Sequence, residues 1–205
     1  MKPLFILCLL SLHAMAQTPA VPFDVHTRVP PYQLSIPEQW GVERIAFPIE
    51  FAPQIPYKGV EDLRFAPGWN KPESADYWSY TFLWWLEGTP TLNAVTLQEN
   101  LTAYYSGLVG ANSAGKNIPA DKVIPTNVVI RKTNAKANDE TTYSGTVSML
   151  DYMAQLPITL QCSIHVKNCK AQNRTAVFVA LSPKSANHPI WEELNKIQRS
   201  FECKK

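Results

Sequence analysis

Residues 74–86, SADYWSYTFLWWL, alternate with a period of two and are dense in aromatic side chains, which suit a pleated surface. The pattern predicts one strand, with Trp78, Tyr80, Phe82, Trp84 and Leu86 on one face and Tyr77, Ser79, Thr81, Leu83 and Trp85 on the other. Both faces carry large apolar groups, so both need at least partial cover. The period then changes. After Gly88 and Pro90, Asn93 suits an N-cap, and Leu97, Leu101, Tyr104, Tyr105 and Leu108 recur at helical spacing, with Gly107 and Gly110 expected to end the helix. Residues 123–133, 141–153, 157–168 and 175–182 then read as four successive strands separated by breaks of hairpin size. A second helix follows, with Pro189 in its first turn, Glu192 and Glu193 near its positive end, and Ile190, Leu194, Ile197 and Phe201 as one apolar stripe.

The first third of the chain is less regular. Residues 32–36 form a candidate first strand, 42–51 an apolar run broken by Pro48, and 60–65 a short alternating run. Prolines at 48, 53, 56, 67 and 72 predict edge strands and long loops here. Strands, a helix, four meandering strands and a helix make an α+β fold: an antiparallel β-sheet of six to seven strands with two main helices packed on it. Consecutive hairpins without crossover helices argue against a parallel sheet.

The N-terminus has its own pattern. MKPLFILCLLSLHAMA has a basic start, an apolar run from Leu4 to Leu12 and small residues at Ala14 and Ala16, which together predict a signal peptide cleaved between Ala16 and Gln17. The run is shorter than the roughly 20 apolar residues a membrane helix needs, and no later segment reaches that length, so no membrane span is expected. Cys8 lies within the run, too early to carry a lipid anchor, so a soluble periplasmic or secreted product is expected. Residues 17–31, with four prolines, predict an extended leader, and 32–205 a single domain.

Composition adds limits. The net charge is +2 and the basic residues are dispersed, with Arg131-Lys132 and Lys204-Lys205 the adjacent pairs, so nothing attracts nucleic acid. Cleavage would leave Cys162, Cys169 and Cys203 in an oxidising compartment. If 156–168 is one strand, Cys162 and Cys169 lie about 23 Å apart along it, whereas a disulfide needs Cα atoms within about 7 Å. Cys162 also shares a face with Ile158, Leu160, Ile164 and Val166, which marks it as core, so the expected bridge is Cys169 with Cys203.

The candidate chemistry is thin. Cys162, His165 and Cys169 have metal-like spacing, but alternation puts Cys162 and His165 on opposite faces, so a core cysteine, an exposed histidine and a disulfide cysteine are expected, with no metal and no cofactor. No G-x-S-x-G elbow is present, and Ser144-Gly145 is read as a bulge. No catalytic residue is assigned. Glu50, Glu61, Asp62, Glu73 and Asp76 lie near aromatics and could supply a carboxylate pair for a hydrolase of envelope glycans or peptides. The aromatic set is the stronger signal. Most of it is expected in the core, with Trp69, Trp78 and Trp85 as the candidates to line a ligand groove or contact patch.

Two resemblances follow from particular segments. YKGVEDLRFAPGW, LQENLTAYYSGL and SGTVSMLDYM resemble an uncharacterised family of exported bacterial proteins, over most of the mature chain. The opening YQLSIPEQW and closing HPIWEELNKIQRSF are similar to the PsbP/Mog1-like fold, which implies an antiparallel sheet sandwiched by helices and an accessory or interaction role. Three functions remain open: a non-enzymatic module of the cell envelope binding a small ligand or another envelope protein, a carboxylate-dependent hydrolase, and a structural protein with no ligand. The first is the expectation taken forward.

Overall fold

A computed structural model of the chain describes residues 29–136 and 138–204. The expected signal peptide, its cleavage point and the leader up to residue 28 lie outside them. Two meanders build the sheet. The first runs through β2 (Gly41–Ala46), β3 (Gly59–Phe65) and β4 (Tyr80–Glu87), and the second through β5 (Asn127–Thr133), β6 (Thr141–Asp151), β7 (Leu156–Cys169) and β8 (Arg174–Ser182). The last strand of each pairs with the other, giving one antiparallel sheet in the order β2-β3-β4-β8-β7-β6-β5. Helix α1 (Ala94–Gly115) joins the meanders and α2 (Ile190–Arg199) follows the second. The expected α+β architecture is present. The first expected strand shrinks to β1 (Tyr32–Gln33), which pairs with β9 (Glu202–Cys203) in a small second sheet.

Alternation along the strands separates two cores. Phe82, Trp84 and Leu86 of β4, Val177 and Val179 of β8, and Leu160 and Ile164 of β7 are buried with Leu97, Leu101, Tyr104 and Tyr105 of α1. Leu83 and Trp85 of β4, with Ala176, Phe178 and Ala180 of β8, are buried instead with Ile190, Leu194, Ile197 and Phe201 around α2. Both faces of β4 are therefore covered, as its sequence requires. Fully burying a side chain of the size of Leu or Phe contributes roughly 1.5–3 kcal/mol, so these two layers are the main source of stability.

Helix α1 begins where Asn93 predicts. The Asn93 side chain accepts from the backbone N–H groups of Val95 and Thr96, while Thr96 Oγ1 accepts from the Asn93 N–H. Its end differs from expectation, because the helix runs through Gly107 and Gly110 to Gly115. Gly107 serves a close approach instead: a Cβ there would lie 1.8 Å from the Phe51 carbonyl oxygen. Gly145 is similar. It sits in unbroken register opposite Cys162 and Ile130, with no bulge, and a Cβ would meet the Val129 carbonyl oxygen at 1.9 Å.

The bridge joins Cys169, at the end of β7, to Cys203 in β9, with Cα atoms 5.6 Å apart. It ties the small sheet to the large one. Cys162 is free and buried on the α1 face, and burial pushes its thiol up to about 12, which makes it unreactive.

Candidate functional site

The aromatic segment does not form one strand throughout. Residues 74–79 turn, with Tyr77 N–H donating to the Ser74 carbonyl and Ser79 N–H to the Asp76 carbonyl, and β4 starts only at Tyr80. Aromatic content favoured a strand, but these local turns prevail. The result is a loop over residues 66–79, closed by Ala66 N–H to the Ser79 carbonyl (3.2 Å) and Trp78 N–H to the Trp69 carbonyl (2.8 Å). Trp78 takes φ 52° there, a left-handed conformation that is an outlier for a bulky residue and persists only where its surroundings enforce it.

That loop forms one wall of a cleft of about 310 Å³, close to the lower end of small-molecule sites, which start at roughly 300 Å³. Trp69 stacks on Phe65 with ring centroids 4.4 Å apart, and Trp78 meets Trp69 edge-on at 6.3 Å. Tyr104 and Leu108 of α1 form the opposite wall, where Tyr104 is braced edge-on by Phe51 at 5.0 Å. Leu63 and Tyr80 lie on the sheet below, and Tyr152 packs 5.3 Å from Trp78. Glu43 and Asn112 are the polar side chains of the lining outside the ring hydroxyls and indoles. The Trp78 indole N–H lies near the Tyr77 hydroxyl without making a well-formed hydrogen bond. A buried indole that lacks a partner has donor capacity to spare.

No family model, curated protein or solved structure matches this chain. What the cleft can do rests on its own geometry.

Of the three tryptophans expected at a groove, Trp69 and Trp78 come together in this cleft. Trp85 does not. It is buried on the other face of β4, packed against Tyr32 and Phe201 with ring centroids at 5.0 and 6.2 Å. The candidate carboxylates scatter. Glu50 and Glu73 are exposed, and Glu61 and Asp62, adjacent on β3, face opposite sides of the sheet. Asp62 is fully buried, accepts from Tyr32 Oη at 2.7 Å and pairs with Arg44 at 3.2 Å and with Arg64. Glu61 lies behind the cleft without lining it, and its Oε1 accepts from Trp84 Nε1 at 3.0 Å. Burial raises the Glu61 carboxyl to about 8, against the pull of the Trp84 and Tyr104 donors and with help from the nearby Glu43 carboxylate. It is therefore mainly neutral at pH 7.

His165 is a further correction. Alternation assigned it to the face opposite Cys162, where it does lie, but it is 3% exposed and hydrogen-bonded at both ring nitrogens. The face of a strand does not reveal what later covers it. Sequence reasoning also missed Tyr104, Phe51 and Tyr152 as cleft residues. Tyr104 carried the one usable signal, as one of two adjacent tyrosines in a helical stripe otherwise made of leucines, while Phe51 and Tyr152 reach the cleft from loops.

Proposed function

We propose that this chain is an exported binding module of the cell envelope whose cleft between the 66–79 loop and α1 holds a small, largely apolar or aromatic ligand without acting on it chemically. The Cys169–Cys203 bridge fits an oxidising compartment, and the N-terminal pattern supports cleavage between Ala16 and Gln17. The observation that carries the reading is the conformation of Trp78, a bulky residue held at φ 52° where two aromatic walls converge. Strain of this kind gathers at ligand clamps. Trp69 at the cleft is partly exposed, which leaves its indole available to a ligand. The carboxylate-dependent reaction has little support, since Glu61 is sealed behind the cleft and Asp62 is held by arginines on the other face.

The test is a screen of small aromatic and amphiphilic molecules against the mature protein, read by tryptophan fluorescence and melting temperature. A ligand of this cleft quenches fluorescence, raises the melting temperature, and binds Trp69→Ala at least tenfold more weakly, a difference of about 1.4 kcal/mol. A silent screen, or hits that bind Trp69→Ala equally well, removes the proposal.

A further inference from the structure

On the face of the sheet away from the cleft, three side chains from two elements form one hydrogen-bonded chain. Ser163 Oγ lies 3.0 Å from His165 Nε2, and His165 Nδ1 lies 2.8 Å from Asp139 Oδ2. Ser163 and His165 are two residues apart on β7 and so share a face, and Asp139 reaches them from the β5–β6 connection. The carboxylate is itself positioned, because Thr142 Oγ1 donates to the same Oδ2 at 3.0 Å. A carboxylate can only accept, so Nδ1 carries the proton, and Nε2 presents its lone pair to the Ser163 hydroxyl. That is the tautomer a general base needs. Burial lowers the basicity of His165, and the nearby Lys136 adds to this, against the opposing pull of Asp139. The ring is thus neutral near pH 7 and able to take a proton.

The serine end of this chain is open. Helix α2 packs over β4 and β8, while Ser163 is only partly buried and lines a depression that extends across β6 and β5 to Arg131. Strand register gives the alignment: Ser163 lies opposite Ser144, and Ser144 opposite Arg131, in one row across three strands. Two strand spacings place the Arg131 and Ser163 Cα atoms about 10 Å apart, within reach of an arginine side chain. Backbone N–H groups inside a ladder are committed to their neighbours, so of the two cations that line this depression, Arg131 and Lys184, Arg131 is the one in the row of Ser163 and Ser144 and is placed to meet negative charge forming beside Ser163.

We propose that Ser163, His165 and Asp139 form an acyl-transfer site that acts on small carboxylic esters. Ser163 Oγ attacks the ester carbonyl carbon as its proton passes to His165 Nε2, and Arg131 faces the tetrahedral oxyanion. The bond to the leaving alcohol then breaks, and His165 returns the proton to that oxygen, leaving an acyl group on Ser163. Water repeats the sequence in reverse roles, giving the free acid and restoring the serine. Asp139 touches no substrate and is a positioning residue, fixing the tautomer and orientation of His165. This site is independent of the aromatic cleft.

The mature protein should therefore hydrolyse p-nitrophenyl acetate and react with a fluorophosphonate probe, with mass spectrometry placing the adduct on Ser163. Ser163→Ala removes one partly buried oxygen and should keep the fold, verified by its melting curve, while abolishing the adduct and lowering turnover at least about 100-fold. Asp139→Asn should lower kcat with little change in KM, a split that loss of a merely structural bond would not produce. Arg131→Ala, at an exposed position, should slow acylation without changing the melting temperature. An unlabelled wild-type protein, an adduct on another residue, or turnover that survives in folded Ser163→Ala would overturn the assignment.

Discussion

The two faces of this sheet are built from the same strands and do opposite things with polar groups. On the α1 face, aromatic and aliphatic side chains form a continuous core; beside it the buried Asp151 accepts from Tyr77 Oη and from the backbone N–H groups of Met153 and Ala154, while Glu61 is kept mainly neutral with Trp84 and Tyr104 as donors. On the α2 face, Asp62 sits in a network with Arg44, Arg64 and Tyr32, and Asp139 holds His165. Neighbouring residues on one strand thus meet a buried carboxyl by different means. At Glu61 burial moves the proton equilibrium, and at Asp62 two arginines match the carboxylate by charge. One face can therefore present an apolar cleft, and the other a polar row across its open strands.

The largest test of this contrast is the adjacent pair Trp84 and Trp85, which point to opposite faces of β4. Either change to alanine should cost about 3–5 kcal/mol, the range for deleting a buried large aromatic. Trp84→Ala should lie at the upper end, because it also removes the donor to Glu61 Oε1. Urea melts of the two variants decide the matter, and equal losses would mean that the Trp84–Glu61 bond adds nothing. Next comes the pair on β3. Asp62→Ala strips the carboxylate from a buried arginine and should cost about 3 kcal/mol or more, whereas Glu61→Gln at pH 6 should cost about 1 kcal/mol or less, since it replaces a neutral acid with a neutral amide of the same shape. If the two variants lost similar stability, the view of Glu61 as a neutral buried group would fail.

Much of this architecture was legible in the sequence, because it depends on local period and on neighbours a few residues away. The β6, β7 and β8 alternation, the Asn93 cap, the α2 stripe and the Cys169–Cys203 bridge all follow from spacing and strand geometry. The misreadings share a cause. Residues 74–79 have strand-like composition but turn, since their hydrogen bonds close a loop on Trp69 and not a ladder. Gly107 looked like a helix stop, yet its missing side chain serves the Phe51 backbone, some 56 residues away in the chain and adjacent only in the fold. His165 could be assigned a face but not a covering. The cleft depended on the same missing information, for Tyr104, Phe51 and Tyr152 converge with Trp69 and Trp78 only once α1 lies across the sheet.

The smallest effect sharpens the contrast most, because the two faces should respond to pH with opposite sign. Glu61 keeps in the folded state, up to about pH 8, a proton that the unfolded chain releases near its ordinary value of 4.5. Its contribution is full below pH 4.5 and declines as pH rises through 8, at up to about 1.4 kcal/mol per pH unit. His165 behaves in the reverse way. Its folded value lies below 6.5, so its contribution is complete above pH 6.5 and is lost as pH falls toward the folded value. Between pH 6.5 and 8, the decline measured by urea melts should therefore belong to Glu61 and vanish in Glu61→Gln, while His165→Gln leaves it unchanged. Below pH 6.5 the roles exchange, and His165→Gln should steepen the gain in stability on acidification by removing the term that opposes Glu61. A wild-type curve flat from pH 6.5 to 8 would show that Glu61 is ionised in the fold, and would place a buried carboxylate on the α1 face with the Trp84 and Tyr104 donors to hold it.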